Sequence, residues 1–407
     1  MELSRRGNNF VLTFPNGVVM KFQRLQESDR SGLSAEVTIT YTPLTHPHLH
    51  RSTINLSAAR TRTSIVKLLK ERIPDLDWYA LIEAAFVTVM DAYRVGEPVH
   101  NLRDVVPSES LPYRIEPFIL TRAPSLIYGP GGLGKSSLAL YMAMLIQSGA
   151  TTRGLFEDIE PCSVLYLDWE ESAQDTHKRL ALMVKGHDFM DGIPPIIYRR
   201  MNRSLPADVD AVLDVITDHN IGHVVIDSAG PACGGRPEDA DATLAFFEAL
   251  RSLETSALIL AHEAKNGNGK TPFGSVYWWN MSRTVWQMEQ ERELGSPHID
   301  IAMHHRKANA ERLRKPVIYR VIHEPESIRF ERNEIRAGSA LSKGLPIPEQ
   351  IRTLLGSGLG MMTARAIAEH IERPLSSVES ELSRMKSDGQ ILNPARGYWG
   401  LVSNRIQ

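Results

Sequence analysis

The sequence predicts an α/β protein with a mostly parallel central sheet and a smaller module at each end. Between residues 117 and 331, short apolar runs alternate with stretches of helical periodicity. Runs that are apolar at every position are typical of parallel strands buried on both faces. Residues 1–110 and 345–407 lack this alternation and carry hairpin and helix patterns of their own. We therefore expect three domains, at 1–110, 117–335 and 345–407.

The N-terminal module is predicted to have an α+β fold, and its residues indicate no chemistry. Asn16-Gly17 favours a tight hairpin turn between two apolar runs. The predicted elements are strands at 10–14, 18–22 and 35–41 and helices at 64–72 and 78–94.

Three alternating histidines, His46, His48 and His50, could share one strand face as metal ligands do. Pro43 and Pro47 favour a loop instead, and no partner spacing supports a zinc site. We predict solvated loop histidines.

The central region carries the pattern of a parallel sheet. Its predicted parallel strands are at 125–128, 163–167, 195–198, 223–226 and 257–260. Runs at 299–304 and 317–322 are expected to add antiparallel strands.

The C-terminal module follows a linker-like stretch at 336–344 and reads as a winged helix-turn-helix. Its predicted elements are helices at 346–356, 363–371 and 375–387 and a hairpin around 394–397. The third helix carries Arg384 and Lys386 but also Glu379 and Glu381. This mixed charge leaves open whether the module binds DNA or protein.

Composition excludes several classes of protein. The 407 residues are 42% hydrophobic and 23% charged with a net charge of −2, so no basic field covers the whole chain. Cys162 and Cys233 lie far apart, which excludes a cysteine zinc site and fits a reducing compartment. No apolar stretch is long enough to span a bilayer, and the N-terminus lacks a signal-peptide core. We expect a cytoplasmic protein.

The strongest motif is Gly-Pro-Gly-Gly-Leu-Gly-Lys-Ser at 129–136, which satisfies GxxxxGK[ST] in full. A strand pattern precedes it and a helix pattern at 137–147 follows, the context of a Walker A phosphate loop rather than a chance glycine turn. Backbone N–H groups and the helix N-terminus would bind phosphate, Lys135 would reach the β- and γ-phosphates of ATP, and Ser136 would hold Mg²⁺. The predicted nucleotide-binding residues are Gly129, Pro130, Gly131, Gly132, Leu133, Gly134, Lys135, Ser136 and Ser137.

Acidic residues follow two of the predicted strands. Glu170 is the predicted base that activates the attacking water. The alternative is that these acidic residues cap the next helix, and Asp168 or Glu171 fits that role better. Asp227 ends the run at 223–226, which is the Walker B arrangement for holding Mg²⁺.

His262 follows the strand at 257–260, where a polar side chain can contact the γ-phosphate and report its loss. A lone histidine is more often structural, but its position at a strand tip favours sensing. The glycine-rich stretch at 266–271 is either a solvated loop or a pore loop whose Lys265 and Lys270 contact a nucleic-acid backbone.

Together these motifs resemble the RepA-type hexameric replicative helicases and their RecA-like relatives over residues 117–325. The resemblance implies that Glu170 is the catalytic glutamate, Asp227 the Walker B aspartate and His262 the sensor histidine. The family usually has His-His where this chain has Ala261-His262.

The resemblance also covers a segment beyond the sensor. Phe273-Gly274-Ser275 matches an Arg-Gly-Ser segment, with Phe in place of Arg. Arg283, in a helix-like stretch, falls where the family supplies an arginine finger to the neighbouring subunit, and Lys307 matches a Lys-x-Asn element near that interface. A ring-shaped homo-oligomer, hexameric in that family, is implied.

The sequence therefore predicts an oligomeric, DNA-associated ATPase, a ring helicase or translocase that uses ATP and Mg²⁺. The alternative is an ATP-dependent DNA-binding regulator, or a replication or recombination accessory ATPase, without unwinding activity. A small-molecule kinase is disfavoured because no arginine-rich lid is evident and Glu170 suits water activation.

Overall fold

The computed structural model describes residues 1–402 except 31, 97–98, 107–112, 150–154, 157–158, 188, 190–191, 265–270, 292–295, 297, 310, 334–339, 344 and 358–359. The strands of this part of the chain form sheets of five, nine, three and two strands. Within the same residues, no helix has the combined length and apolarity that crossing a bilayer requires.

The N-terminal part is an antiparallel meander covered by two helices. Its elements are β1 (Glu2–Arg6), β2 (Asn9–Thr13), β3 (Val18–Ser28), β4 (Gly32–Tyr41), β5 (His48–Asn55), α1 (Ala59–Arg72) and α2 (Trp78–Val95). Alternate residues of β3 and β4 are buried, so one face of the sheet is apolar and packs on the helices. Phe22 of β3 meets Phe86 of α2 edge to face, with ring centroids 5.9 Å apart.

Two of the three alternating histidines lie in this sheet. His48 and His50 belong to β5, whereas His46 lies in the preceding turn. The loop prediction was therefore wrong for His48 and His50. Buried Leu49 anchors the strand on the core, and pairing with β4 supplies its backbone hydrogen bonds.

The central part contains the nine-stranded sheet and its helices. Its elements are β6 (Tyr113–Ile115), β7 (Ile119–Leu120), β8 (Pro124–Gly129), α3 (Lys135–Ser148), β9 (Ser163–Asp168), α4 (Ala173–Gly186), β10 (Ile197–Arg200), α5 (Leu205–Asp218), β11 (Ile221–Asp227), α6 (Ala229–Ala232), α7 (Ala240–Ser252), β12 (Ser256–His262), α8 (Val276–Met281), β13 (Thr284–Glu291), β14 (His298–Ala308), β15 (Val317–Glu324) and β16 (Ser327–Asn333).

The nine strands have the order β10-β9-β11-β12-β8-β13-β14-β15-β16. Strands β10 to β13 in this order run parallel, and β14, β15 and β16 extend the sheet antiparallel. Separate apolar cores cover the two faces, one built on α3 and α4 and the other on α5, α7 and α8. The α/β class with a mostly parallel sheet is confirmed, and it is consistent with a RecA-like core.

Strand β13 occupies part of the stretch that was expected to be helical around Arg283. Helix α8 ends at Met281, and Thr284 begins a strand inserted between β8 and β14. That expectation was wrong because Val285 and Trp286 are fully buried, one in each core, as a central strand requires. Strand β10 lies two residues later than predicted, at Ile197–Arg200.

The C-terminal part contains α9 (Ala340–Lys343), α10 (Ile347–Gly356), β17 (Met362–Thr363), α11 (Ala364–His370), α12 (Leu375–Ser387), β18 (Ile391–Ala395) and β19 (Tyr398–Leu401). The strands pair antiparallel in the order β17-β19-β18, and the helices close over a core that includes Ile351, Val378 and Leu382. Helix α9 lies within the stretch predicted as a linker.

Polar contacts join the N-terminal sheet to the central part. Lys21 and Gln23 of β3 both donate to the Asp214 carboxylate of α5. The Gly7 N–H donates to Glu254 Oε1 at 3.1 Å.

Candidate functional site

The predicted phosphate-loop residues, Glu170, Asp227 and His262 meet at one edge of the parallel sheet. Because β8, β9, β11 and β12 run parallel, their carboxyl ends lie side by side. Asp227 pairs in register with Asp168, and His262 with Gly129. A cleft of about 270 Å³ opens there, lined by Gly132, Leu133, Gly134, Lys135, Ser136, Ser137, Glu170, Glu171, Arg179, Asp227, Ser228 and His262.

The glycine loop joins β8 to α3 as predicted, although α3 begins at Lys135 rather than at residue 137. Gly132 and Gly134 have φ angles of 76° and 84°, a left-handed conformation that side chains other than glycine disfavour. The Lys135 ammonium donates to the carbonyls of Gly129 at 2.9 Å and Pro130 at 2.7 Å. Burial lowers the pKa of Lys135, while the nearby carboxylates of Asp227, Glu170 and Glu263 oppose that shift.

Asp168 organises the acidic turn that follows β9. Its Oδ1 accepts from the backbone N–H groups of Glu170 at 2.8 Å and Glu171 at 2.9 Å. Its Oδ2 accepts from the Tyr198 hydroxyl at 3.2 Å. This buried carboxylate therefore fixes the direction in which Glu170 and Glu171 leave the strand.

Glu171 and Glu170 have different partners. Glu171 forms an ion pair with Arg179, whose Nη2 lies 2.5 Å and 2.7 Å from the two carboxylate oxygens. The N-cap of α4 is Ser172, so neither Asp168 nor Glu171 caps that helix. Glu170 is exposed to the cleft, where its Oε1 accepts from the Ser228 hydroxyl at 2.5 Å.

Asp227 lies at the base of the cleft, 5% exposed. Burial raises its pKa to about 6, although hydrogen bonds from the hydroxyls of Tyr166 and Ser136 favour the charged form. The Tyr166 hydroxyl lies 2.7 Å from Asp227 Oδ2. A carboxylate beside a hydroxyl at the foot of a phosphate loop is a hard-oxygen donor set, which fits Mg²⁺.

His262, at the end of β12, also lines the cleft. Its imidazole is half exposed, with Nε2 3.9 Å from Glu170 Oε1. Burial and the Lys135 ammonium lower the pKa of His262, so the imidazole is neutral at pH 7.

The segment that follows His262 and the residues outside the description is built around Gly274. Its φ is 114°, and an added Cβ would lie 2.4 Å from the Pro237 carbonyl oxygen. Ser275 caps α8 by accepting from the Tyr277 N–H at 3.3 Å, and Trp278 is buried among the side chains of α7. Phe273 is exposed. Lys265 and Lys270, predicted as pore-loop cations, lie outside the described residues.

Arg283 lies at the opposite edge of the sheet from the glycine loop. Its backbone N–H donates to Pro124 at the start of β8, and the six residues of β8 span roughly 20 Å. The side chain is exposed, and it forms no ion pair with any carboxylate of the described residues. It borders a cleft of about 540 Å³ together with Arg122 and Arg251.

The Lys307 ammonium donates hydrogen bonds to backbone carbonyls of its own chain. Nζ donates to the carbonyls of Trp279 at 2.7 Å, Asn280 at 3.0 Å and Ser282 at 2.7 Å. It thereby holds the carboxyl end of α8, directly before Arg283. Burial and the charge of Arg283 lower the pKa of Lys307.

Three residues of this site were not predicted: Tyr166, Arg179 and Ser228. Ser228 directly follows Asp227, and this position was the one available signal in the sequence. Tyr166 and Arg179 contact the site from the middle of β9 and from α4, and no local pattern marks them.

Parts of this chain are similar to known proteins. A family model described as AAA domain matches residues 97–268. A KaiC-like protein from the hyperthermophilic archaeon Pyrococcus horikoshii OT3 has 16% identity and a TM-score of 0.40, over 54% of this chain and 93% of that chain. Flagellar accessory protein FlaH from Methanocaldococcus jannaschii has 14% identity and a TM-score of 0.36, over 53% and 91%. No curated protein matches. The phosphate loop, the sheet order and the family match support a P-loop ATPase with a RecA-like core.

Proposed function

We propose that this chain is an oligomeric, DNA-associated ATPase, a RepA-like ring helicase or translocase that hydrolyses ATP at subunit interfaces. The observation that carries the proposal is the separation of two cations. Lys135 lies in the phosphate cleft, whereas Arg283 lies at the far edge of the sheet, where it cannot reach the loop of its own subunit. The glycine loop of a neighbouring subunit can receive the Arg283 side chain.

Within one subunit, Glu170 is suited to act as the base for the attacking water. It is exposed to the cleft, and Ser228 orients one of its oxygens. Ser136 and Asp227 would hold Mg²⁺, which when bound neutralises charge on the phosphate oxygens. Lys135, already at the mouth of the loop, supplies a further positive charge.

His262 is suited to sense the state of this cleft. As a neutral imidazole it can exchange hydrogen bonds with Glu170 or with a phosphate oxygen without adding charge. The Phe273 N–H donates to the His262 carbonyl at 2.8 Å, so a shift of His262 passes directly to the Phe273-Gly274-Ser275 segment.

The far edge of the sheet is electrostatically suited to a neighbour's phosphates. Arg122, Arg251 and Arg283 line one cleft, in which Glu254 is the carboxylate. Glu254 already accepts from the Gly7 N–H. Lys307 acts here as a positioning residue, because it holds the segment that presents Arg283.

We further propose that the C-terminal part is a winged-helix-like domain that contacts duplex DNA through α12. Arg384 and Lys386 lie near the end of this helix. Arg384 pairs with Glu381 at 2.5 Å, which neutralises part of the basic surface. This partial neutralisation leaves room for the second candidate, an ATP-dependent DNA-binding regulator or a replication or recombination accessory ATPase without unwinding activity.

The deciding experiment compares ATPase rates without DNA, with single-stranded DNA and with duplex DNA, followed by strand displacement on a forked substrate. A helicase is expected to show ATPase stimulation by DNA together with strand displacement. Stimulation without displacement would identify the regulator, and a rate unaffected by either DNA would overturn the DNA-associated function. Lys135→Ala is the control for a contaminating ATPase.

A further inference from the structure

A pair of tyrosines lies beneath the acidic edge of the phosphate cleft. Tyr166 of β9 and Tyr198 of β10 are register partners, and their rings are stacked with centroids 6.3 Å apart. The Tyr166 hydroxyl donates to Asp227 Oδ2 at 2.7 Å. The Tyr198 hydroxyl donates to Asp168 Oδ2 at 3.2 Å. The two phenols are therefore neighbours of the same kind, but they bind different carboxylates.

The Tyr166 hydroxyl donates to Asp227 rather than to its second neighbour. Its one proton has two acceptors within reach, and the Ser136 carbonyl is the more distant, at 3.5 Å, which is the limit of a hydrogen bond. The Tyr166 side chain is 1% exposed and belongs to the apolar core built on α3 and α4. Core packing therefore fixes the position from which this hydroxyl holds Asp227.

The surroundings of Asp227 explain why such an anchor matters. The Asp227 carboxylate is 5% exposed and is repelled by the charges of Asp168 and Glu170. The last torsion of an aspartate has a broad energy minimum, so a carboxylate without a partner can rotate away from such charges. With Oδ2 bound by Tyr166, rotation is restricted. The second oxygen then has a defined direction in the cleft that Asp227 lines.

We propose that Tyr166 is a positioning residue for the magnesium–nucleotide complex, because its hydroxyl holds Asp227 in the orientation that receives Mg²⁺. The inference rests on the proposed ATP hydrolysis with Mg²⁺ held by Ser136 and Asp227, and it adds a residue from outside the lining of the phosphate cleft. Removing a hydrogen-bond partner of a metal ligand typically lowers metal affinity by about 10- to 100-fold. Tyr166→Phe removes the hydroxyl and keeps the buried ring.

The test measures dissociation constants of the β,γ-imido analogue of ATP with the full-length chain, once with Mg²⁺ and once in chelator. The ratio of the two constants reports how much Mg²⁺ strengthens nucleotide binding. In Tyr166→Phe this ratio should fall by about tenfold, while the constant in chelator changes by less than about twofold. An unaltered ratio, or equal weakening with and without Mg²⁺, would overturn the positioning role and leave the proposed ATPase intact. A wild-type chain that binds no nucleotide in either condition would overturn both proposals.

Tyr198→Phe is the matched control for this experiment. It removes the same hydroxyl from the partner ring and leaves Asp227 Oδ2 bound, so the Mg²⁺ ratio should not change. Asp227→Asn completes a double-mutant cycle. Adding Tyr166→Phe to Asp227→Asn should lower the ratio no further, because both residues act through one contact. An equal loss in Tyr198→Phe, or a further loss of about tenfold in the double variant, would show that Tyr166 does not act through Asp227.

Discussion

At the scale of single residues, three of the carboxylates at this edge of the sheet lie in different surroundings. Asp168 is buried and saturated with hydrogen bonds, Asp227 is buried beside Tyr166, and Glu170 is exposed with Ser228 as its partner. A base that must reach a water molecule needs exposure, and a metal ligand needs a fixed position. The surroundings of each carboxylate therefore distinguish a candidate base from a candidate metal ligand, which residue type alone does not.

Replacing Glu170 by Gln should slow ATP hydrolysis by about 10²-fold or more, because an amide cannot accept the proton of the attacking water. Nucleotide binding should persist, since Lys135 and the glycine loop are unchanged. Steady-state ATPase and nucleotide titration together check this. Glu171→Gln is the control, and a larger loss in the control than in Glu170→Gln would move the base to Glu171.

Replacing Asp227 by Asn should stabilise the metal-free fold at high pH. The folded-state pKa of about 6 exceeds the ordinary value of 3.8, so the protonated carboxyl is the form that the fold favours. Its stabilisation is complete below about pH 4 and is lost as pH rises through about 6. Asn mimics the neutral form, and we expect a gain of at most about 3 kcal/mol at pH 8 and almost none at pH 4.

Denaturant unfolding in chelator at both pH values measures this difference. A gain of equal size at pH 4 and pH 8 would show that Asp227 is not the titrating group. Added Mg²⁺ with nucleotide should stabilise the wild-type chain and have a much smaller effect on Asp227→Asn.

At the scale of elements, α8 and β13 form a short unit whose only turn carries Arg283. Helix α8 has six residues, too few for stability on its own. Ser275 caps its beginning, and the Lys307 ammonium binds its last carbonyls. The position of Arg283 therefore depends on a lysine 24 residues further along the chain.

Replacing Lys307 by Met should lower the free energy of unfolding by about 1–2 kcal/mol, because charge-assisted hydrogen bonds to three carbonyls are lost. ATPase should fall as well, since Arg283 loses its fixed position, while nucleotide affinity of the isolated subunit should not change. Lys315→Met is the matched control, because the Lys315 side chain is 73% exposed. Full ATPase activity in Lys307→Met would separate this lysine from the function of Arg283.

Removing the C-terminal part after Leu345 should leave basal ATPase intact and weaken duplex DNA binding. The cut retains α9, whose Leu341 packs with Ala302 and Ile318 against the central sheet. DNA affinity across a salt series is the measurement, since lost phosphate contacts reduce its salt dependence. An unchanged affinity would assign the C-terminal part to protein contacts.

At the scale of the whole molecule, the sheet separates phosphate binding from the exposed arginine. Lys135 follows the carboxyl end of β8, and Arg283 lies beside its amino end. In our proposal a complete site requires two subunits, each contributing one edge. Assembly and hydrolysis are linked by this geometry in our proposal.

Mixing two inactive variants tests that linkage. Arg283→Ala retains the glycine loop, and Lys135→Ala retains the arginine, so a mixed ring has interfaces with both groups intact. We expect each variant alone to lose about 10³-fold in rate and the mixture to regain a substantial fraction of wild-type activity. Co-assembly shown by light scattering, with no recovered activity, would exclude action of Arg283 in trans.

The sequence by itself determined the features that depend on local order. The glycine spacing at 129–136, the apolar runs and the acidic or histidine residues at their ends were sufficient to predict the α/β class and to select Lys135, Glu170, Asp227 and His262. Local patterns suffice there because a strand, a turn and a helix start are specified by neighbouring residues.

The tertiary structure alone decided which residues support that cleft and where the second cation lies. Tyr166 and Asp227 are 61 positions apart in the chain, and Glu170 and Ser228 are 58 apart, so their contacts depend on strand order and register. Arg283 was predicted in a helix because its apolar neighbours carry no period long enough to distinguish helix from strand. The residues after Arg283 form strand β13 because they are buried between β8 and β14. This position places Arg283 at the edge of the sheet opposite the phosphate loop.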